Sequence, residues 1–426
     1  MCLKNIFWIS LWGGLALTAD AQTTRIHQAT IKTVTTTGSV HTQDAVPVVR
    51  LGGDERISVA FDHLGHEAQR YVYTLRHLNA AWEDKENLLP TDYMRSIDGE
   101  CLIDEGELSM TTATLYTHYS FQLPNAEMAP IVSGNYAIDV YDDSGDERTL
   151  AFTTYFCVTE EKATIVPKAT TDTDRGRNTT KQQIEANAVF GSSLSPRTAN
   201  ELMLTVVKNG DMAHAATLVS PYALAPGSAQ WQHQDALIFD AGNEYRKYEL
   251  QSTRYPGMHV ESIRLNDDVY HATLSTDECR KNYLYDEDQN GVYQPAISGN
   301  GNADTDADYV WFHFSLYAPD LSDDTRIWVD GRWAAQIAPD ERRLTYDAAT
   351  GCFTAHLLLK GGYYSYRYAT ESEATNPIEN NFWQTENTYT FFLYYRERGA
   401  RYDRLIGSRT SSYRTRGNIS ENPIPP

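Results

Sequence analysis

The segment YLYDEDQNGVYQ, residues 283–294, places oxygen-bearing side chains at alternate positions: Asp286, Asp288 and Asn290. Carboxylate and amide oxygens at this spacing begin calcium-binding loops of the EF-hand type. A complete loop also needs a bidentate acid at its twelfth position, which is Ile297 here. Strand-like segments flank the loop, and Asn-Gly between strands favours a tight turn because both residues tolerate a positive φ. We interpret the segment as a hairpin or strand-end turn, with a calcium site as the alternative.

A second group of possible metal ligands follows a predicted strand, in the segment FDHLGHE: Asp62, His63, His66 and Glu67. Imidazole and carboxylate groups bind transition metals. The alternative, which we favour, is a solvated loop. The sequence contains no nucleophile elbow, no zinc-protease motif, no phosphate-binding loop and no dinucleotide fingerprint. We therefore expect no catalytic residues, no metal, no cofactor and no enzymatic activity.

Short segments with alternating apolar residues dominate the chain, and helical periodicity is scarce. In the segment RISVAFDHL, for example, Ile57, Val59 and Phe61 fall on one face of a predicted strand. The 28 tyrosines among 426 residues also favour strands. The sequence predicts an all-β protein of three consecutive immunoglobulin-like β-sandwich domains. The predicted divisions are a signal peptide at 1–21, domains at 22–160, 182–303 and 304–407, a linker at 161–181 and a disordered tail at 408–426.

Features of the whole chain indicate an exported, acidic protein. Lys4, a short apolar run and Ala19-Asp20-Ala21 have the form of a signal peptide with its cleavage site. The formal net charge of −21 argues against nucleic acid and anionic lipid as partners. No later segment is apolar enough over 18 residues to span a membrane as a helix. Export permits disulfides among Cys101, Cys157, Cys279 and Cys352, but buried free thiols remain an equal alternative.

The segment 327–370 resembles immunoglobulin-like domains related to glycogen-binding modules. The matching positions are Val329, Gly331, Trp333, Tyr346, Asp347, Gly351, Phe353, Leu357, Leu359, Gly362, Tyr364 and Tyr366. In the sugar-binding members of that group, exposed tryptophans stack on glucose rings. The resemblance implies Trp328 and Trp333 as candidate carbohydrate-binding residues. The other interpretation, which we favour, is that these positions form the core and turns of a sandwich.

Eleven pieces in sequence order resemble the plug proteins of the type IX secretion system. They include IKTV, PVVRLGGDERISVAFDHL, YTHYSFQLPN, DQNGVY and LLLKGGYYSYRY. The eleven pieces lie at 31–34, 47–64, 71–82, 116–125, 133–143, 242–257, 288–293, 307–316, 357–368, 385–389 and 401–407. The chain departs from that pattern at His77-Leu78, where a histidine-cysteine pair is expected, and at Lys360-Gly361-Gly362.

This resemblance implies a non-enzymatic periplasmic protein that closes the inner opening of a large outer-membrane β-barrel translocon. Such a barrel has a polar, water-filled interior. The partner would be the barrel, and the protein would be monomeric when free. The alternative is an exported carbohydrate-binding protein that uses the C-terminal domain.

Overall fold

The computed structural model describes residues 23–38, 46–67, 69–104, 106–192 and 194–414. The predicted signal peptide lies outside these residues. The described part contains 31 strands and two one-turn α-helices, α1 (Pro90–Tyr93) and α2 (Ala303–Asp306). The all-β prediction is therefore confirmed. Three separate hydrophobic cores, each enclosed by two sheets, account for most of the strands.

The first sandwich comprises the first twelve strands. These are β1 (Arg25–Ile26), β2 (Ile31–Gly38), β3 (Val48–Arg50), β4 (Ile57–Leu64), β5 (Tyr71–Leu78), β6 (Met94–Ser96), β7 (Cys101–Leu102), β8 (Glu107–Leu108), β9 (Tyr116–Leu123), β10 (Met128–Pro130), β11 (Gly134–Asp142) and β12 (Thr149–Thr159). One sheet has the order β1-β12-β11-β5-β7, with β3 beside β12, and the facing sheet has the order β2-β4-β9-β8. The predicted inward face of β4 is confirmed, because Phe61 is fully buried and its ring contacts Tyr71 and Phe152 of the other sheet.

The second sandwich begins with seven strands. These are β13 (Ala163–Thr170), β14 (Lys181–Phe190), β15 (Leu202–Lys208), β16 (Ala216–Val219), β17 (Ala223–Ala225), β18 (Ser228–Trp231) and β19 (Ile238–Asp240). One sheet has the order β13-β14-β18-β17, with β19 also paired to β14, and β15 pairs with β16 in the other. The predicted linker at 161–181 therefore contains an eight-residue strand, because β13 pairs with β14 along its whole length.

The third sandwich comprises the next ten strands. These are β20 (Arg246–Leu250), β21 (Val260–Asn266), β22 (Val269–Leu274), β23 (Asp277–Glu278), β24 (Tyr293–Pro295), β25 (Tyr309–Tyr317), β26 (Trp328–Asp330), β27 (Thr345–Asp347), β28 (Cys352–Lys360) and β29 (Gly362–Ala369). One sheet has the order β21-β22-β25-β28-β27, and β20, β24 and β26 pair with β29 in the other. The rings of Tyr248 and Phe312 pack between the two sheets with centroids 4.9 Å apart.

The last two strands, β30 (Thr388–Tyr395) and β31 (Arg404–Ser412), return to the second sandwich. They complete the sheet β16-β15-β30-β31, and Tyr389 packs on Phe239 of the facing sheet. The third sandwich is thus inserted between two parts of the second. The predicted boundary at 303/304 falls inside the third sandwich, because β20 and β24 pair with β29.

Two further expectations differ from the structure. Residues 408–412 belong to β31, so they are not part of a disordered tail, and residues 415–426 lie outside the described part. The sequence also predicts that β25 is buried on both faces. Its inner residues Val310, Phe312 and Phe314 are buried. On the outer face, Tyr309 is buried against the first sandwich, but Trp311 and His313 are half-exposed. The immunoglobulin-like strand order of each sandwich stays a prediction.

Candidate functional site at the junctions between the sandwiches

The Asp288 turn precedes β24. The partly buried Asp288 carboxylate accepts hydrogen bonds from the backbone N–H groups of Asn290, at 2.6 Å, and of Tyr245. Burial raises the pKa of Asp288 to about 6. Asn290 and Gly291 have φ values of 51° and 80°, as an Asn-Gly turn requires. No strand directly precedes the turn, so it is a strand-end turn rather than a hairpin.

The other two possible calcium ligands in this turn have partners within the protein. Asp286 accepts a hydrogen bond from Lys247 Nζ at 2.6 Å, so an ammonium group already neutralises this carboxylate. Asn290 Nδ2 lies 3.4 Å from Thr388 Oγ1 on β30. Within the described part of the chain, no three His, Cys, Asp or Glu side chains are arranged to hold a metal ion. The geometry favours the turn interpretation over a calcium site.

The FDHLGHE residues do not converge on a common point. His63 Nδ1 lies 2.7 Å from the Tyr71 hydroxyl, and His66 Nε2 lies 2.9 Å from Ser109 Oγ. Asp62 instead points away from both histidines, into the contact between the first and third sandwiches. Asp62, one of the four possible metal ligands in this segment, therefore belongs to the junction between the first and third sandwiches.

Asp62 and Lys360 form a buried ion pair at this junction. The Asp62 Oδ2 atom accepts hydrogen bonds from Lys360 Nζ and from the Tyr309 hydroxyl, each at 2.7 Å, and His118 Nδ1 donates to Oδ1 at 2.7 Å. The Lys360 ammonium also lies 4.3 Å from the centre of the Tyr116 ring. Burial lowers the pKa of Lys360, and the attraction of Asp62 only partly opposes that effect. Both charged side chains are at most 2% exposed.

A second contact joins the same two sandwiches. Asp308, just before β25, accepts hydrogen bonds from the backbone N–H groups of Ala113, at 2.8 Å, and Thr114, at 3.1 Å. The Tyr116 hydroxyl donates to the Ala307 carbonyl at 2.8 Å. The polar groups that each sandwich contributes to this contact have hydrogen-bond partners in the other, so the contact holds the two sandwiches in one orientation.

Arg367 on β29 connects the third sandwich to the second. Its guanidinium donates to Asp330 Oδ2 at 2.9 Å and to Asp211 Oδ2 at 3.2 Å, and Asp211 follows β15. At this point Gly210 lies against Arg332, since a Cβ at Gly210 would lie 2.6 Å from Arg332 Nε. The second sandwich therefore contacts the β26 end of the third closely.

The two chain connections between the second and third sandwiches cross beside Glu244. Its carboxylate accepts hydrogen bonds from the Tyr283 hydroxyl, at 2.7 Å, and from the Glu386 backbone N–H, at 3.1 Å. Burial raises the pKa of Glu244 to about 7. Asn387 Nδ2 donates to the Ala241 carbonyl at 2.8 Å, which shows that the chain enters and leaves the third sandwich at nearly the same place.

The contact between the first and second sandwiches is mainly apolar. Its buried residues come from both units: Val46, Leu78, Ala80, Trp82, Ala137, Cys157, Val207, Met212, Phe392, Tyr394 and Leu405. Asp403 Oδ2 accepts the Ala80 backbone N–H at 2.9 Å. Within the described residues, no disulfide joins Cys101, Cys157, Cys279 and Cys352.

Trp328 and Trp333 line one cavity, where the three sandwiches meet. This junction cavity has a volume of about 480 Å³. Trp333 is only 6% exposed, its indole N–H donates to the Ser365 carbonyl at 3.0 Å, and its ring packs edge-on against Tyr364. Trp328 is half-exposed. The two tryptophans thus do not form an exposed pair of rings, and carbohydrate binding stays a prediction.

Sequence reasoning missed the junction residues Lys360, Asp403 and Arg367. A buried lysine leaves no local signal, because its partner Asp62 is 298 positions away along the chain. The Lys360-Gly361-Gly362 piece stands out in the sequence only as a turn. No helix in the described residues has the length and apolar character needed to cross a membrane.

Among solved structures, a hypothetical protein from Parabacteroides merdae is 35% identical to this chain, with a TM-score of 0.86. The match covers 92% of this chain and 100% of that one. The C-terminal domain of the Streptococcus pyogenes antigen I/II-family protein AspA is 8% identical, with 88% and 98% coverage and a TM-score of 0.17. Dimeric latent PorU from Porphyromonas gingivalis is 11% identical, with 89% and 34% coverage and a TM-score of 0.18. The last two scores are too low to carry any argument.

No curated protein matches the chain. Residues 31–160, which span most of the first sandwich, match the family described as type 9 secretion system plug protein, 1st domain. This match contains five of the eleven pieces found along the sequence, and the Parabacteroides merdae structure shares the fold of nearly the whole chain. The chain belongs to the type IX secretion system plug protein family.

Proposed function

We propose that this protein is a non-enzymatic periplasmic plug, which binds and seals the periplasmic opening of the type IX secretion outer-membrane translocon. Membership of the plug protein family carries the proposal. The partner would be the translocon barrel, and the free protein would be an exported monomer.

The way the sandwiches are joined supports a role as a seal. A plug must keep its shape across a wide opening, so its domains must not move freely against one another. Domains linked only by flexible chain move by default unless the contact between them is extensive. Here the first and third sandwiches share the buried Asp62–Lys360 pair, and the first and second share an apolar core.

Chemistry at the candidate sites also fits a binding role better than a catalytic one. The possible metal ligands of the Asp288 turn and of the FDHLGHE segment contact other side chains and backbone groups of the chain. A stable interface with the barrel needs more than about 1,000 Å² of buried surface. Three sandwiches side by side offer broad surfaces for such a contact.

Two measurements on the same strain test the proposal. Affinity purification of the tagged protein from detergent-solubilised outer membrane should recover the translocon barrel. Deletion of its gene should increase the permeability of the outer membrane to a periplasm-excluded dye, and restoring the gene should reverse the increase. If the barrel does not co-purify and permeability does not change, the protein is not the plug.

A further inference from the structure

One edge of the third sandwich is open. β28 pairs with β25 along its whole length, but on its other side β27 pairs only with residues 352–354. Within the described residues, no hydrogen bond from outside the sheet reaches the backbone of residues 355–359. Such an edge presents unpaired N–H and C=O groups, which proteins normally cover, charge or shorten.

A cleft of about 510 Å³ runs along this open edge. The consecutive residues His356, Leu357, Leu358 and Leu359 all line it. Alternate residues of a strand point to opposite faces of the sheet. The cleft therefore meets β28 at its edge, and it extends onto the outer face of the sheet, where Trp311 of β25 also lines it.

Other parts of the chain line the cleft together with β28. Residues 336–338 contribute to it, as do residues from 26–33, which comprise the turn between β1 and β2 and the strand residues beside it. Tyr293, Trp333 and Tyr364 also line the cleft. The volume falls in the range of about 300–1,000 Å³ that is typical of ligand sites.

The chemistry of the lining suits an extended peptide. The open backbone groups can form a ladder of hydrogen bonds with an added strand, and the apolar walls can receive its alternate side chains. Although the chain has an excess of 57 acidic over 36 basic residues, only one acid, Glu341, lines the cleft. Lys32 and His27 line the same cleft. A carboxylate on the bound segment would complement Lys32.

We propose that the open edge of β28 and this cleft bind an extended, apolar peptide segment carrying a carboxylate, which adds to the sheet as a further strand. This inference does not depend on the plug function, since it rests on the geometry of the third sandwich and of residues 26–33.

A phage-displayed library of random twelve-residue peptides, selected on the purified full chain, provides the probe. We expect enriched peptides with apolar residues at alternate positions and at least one acid. A fluorescent copy of an enriched peptide should bind wild-type protein in fluorescence polarisation. It should also slow hydrogen exchange of the alternate amides within 355–359 that point away from β25, because those groups become bonded.

Matched variants locate the peptide. Ala338→Trp places a large ring in the cleft and should weaken peptide binding at least tenfold. The backbone hydrogen bonds of Ala338 do not involve its methyl group, so the substitution leaves them in place. Ala349→Trp, on the exposed turn between β27 and β28, is the control and should bind like wild type. Lys32→Gln should weaken binding several-fold, and Lys281→Gln, far more exposed, should not. A library that yields no binder, or peptides that bind Ala338→Trp as well as wild type, would overturn the proposal.

Discussion

At the scale of single residues, the Asp62–Lys360 pair makes the sharpest prediction. Replacing Lys360 by Met leaves the Asp62 carboxylate buried without its cation. Breaking a buried pair from one side typically costs about 3–5 kcal/mol, because an uncompensated charge stays in the interior. We expect Lys360→Met to lower the midpoint of urea unfolding, measured by tyrosine and tryptophan fluorescence, with loss of at least part of the first–third junction.

The double variant distinguishes loss of charge pairing from loss of packing. Asp62→Asn with Lys360→Met removes both charges, and it should be less destabilised than Lys360→Met alone. Lys281→Met is the control, because the Lys281–Asp320 pair is exposed and its atoms are 3.7 Å apart. A double variant that is as unstable as the sum of the two single variants would show that the pair is not coupled.

Glu244 predicts a pH dependence. Burial raises its folded-state pKa from 4.5 to about 7, so the folded protein holds this proton over a range where the unfolded chain has lost it. Stability that is complete below about pH 4.5 is therefore lost as the pH rises through 7. Glu244→Gln removes the charge and keeps an oxygen that can accept the same bonds. It should gain about 3 kcal/mol over wild type at pH 8 and less than about 1 kcal/mol at pH 5.

Urea unfolding at the two pH values measures this difference directly. Glu287→Gln replaces an exposed carboxylate and should behave alike at both pH values. If Glu244→Gln follows wild type at pH 8, Glu244 does not titrate near neutrality in the folded protein. The sequence shows Glu244 only as one of 57 acids, since its burial depends on Tyr283 and Glu386, which are distant along the chain.

At the scale of elements, the local pattern predicts strands but not their partners. Ile57, Val59 and Phe61 alternate with smaller or polar residues, and all three are buried. The alternation of neighbouring residues along the sequence is enough to predict which face of a strand is buried. The local sequence does not predict that β15 pairs with β30, since the paired residues Leu204 and Leu393 are 189 positions apart. Patterning therefore identifies strands such as β4, yet it placed the last two strands in the wrong sandwich.

Because the third sandwich is inserted into the second, we expect that it can be deleted without unfolding the rest of the protein. Ala241 and Asn387 are in hydrogen-bond contact, so a short glycine-serine linker can replace residues 243–386 without stretching the chain. The shortened protein should remain soluble and melt cooperatively, with the circular dichroism of β-structure. A chain that instead stops at residue 387 lacks β30 and β31, which exposes β15 and the second core. It should aggregate, and the opposite result for either chain would contradict the insertion.

At the scale of the whole molecule, the junctions predict cooperative unfolding. The first and second sandwiches share an apolar core, the first and third share a buried ion pair, and the second and third exchange two chain connections. Because no sandwich can unfold without exposing groups of another, wild type should show one calorimetric transition, with equal calorimetric and van't Hoff enthalpies.

Loss of the junction between the first and third sandwiches should split the single calorimetric transition into two. In Asp62→Ala with Lys360→Ala, the third sandwich keeps its own core but loses its buried tie to the first, so a second, lower transition should appear. The exposed variant Lys281→Ala should retain a single transition. Two transitions already present in wild type would mean that the sandwiches move independently. A seal across a wide opening would then have to gain its rigidity from the barrel, because independent domains could part and let solutes pass between them.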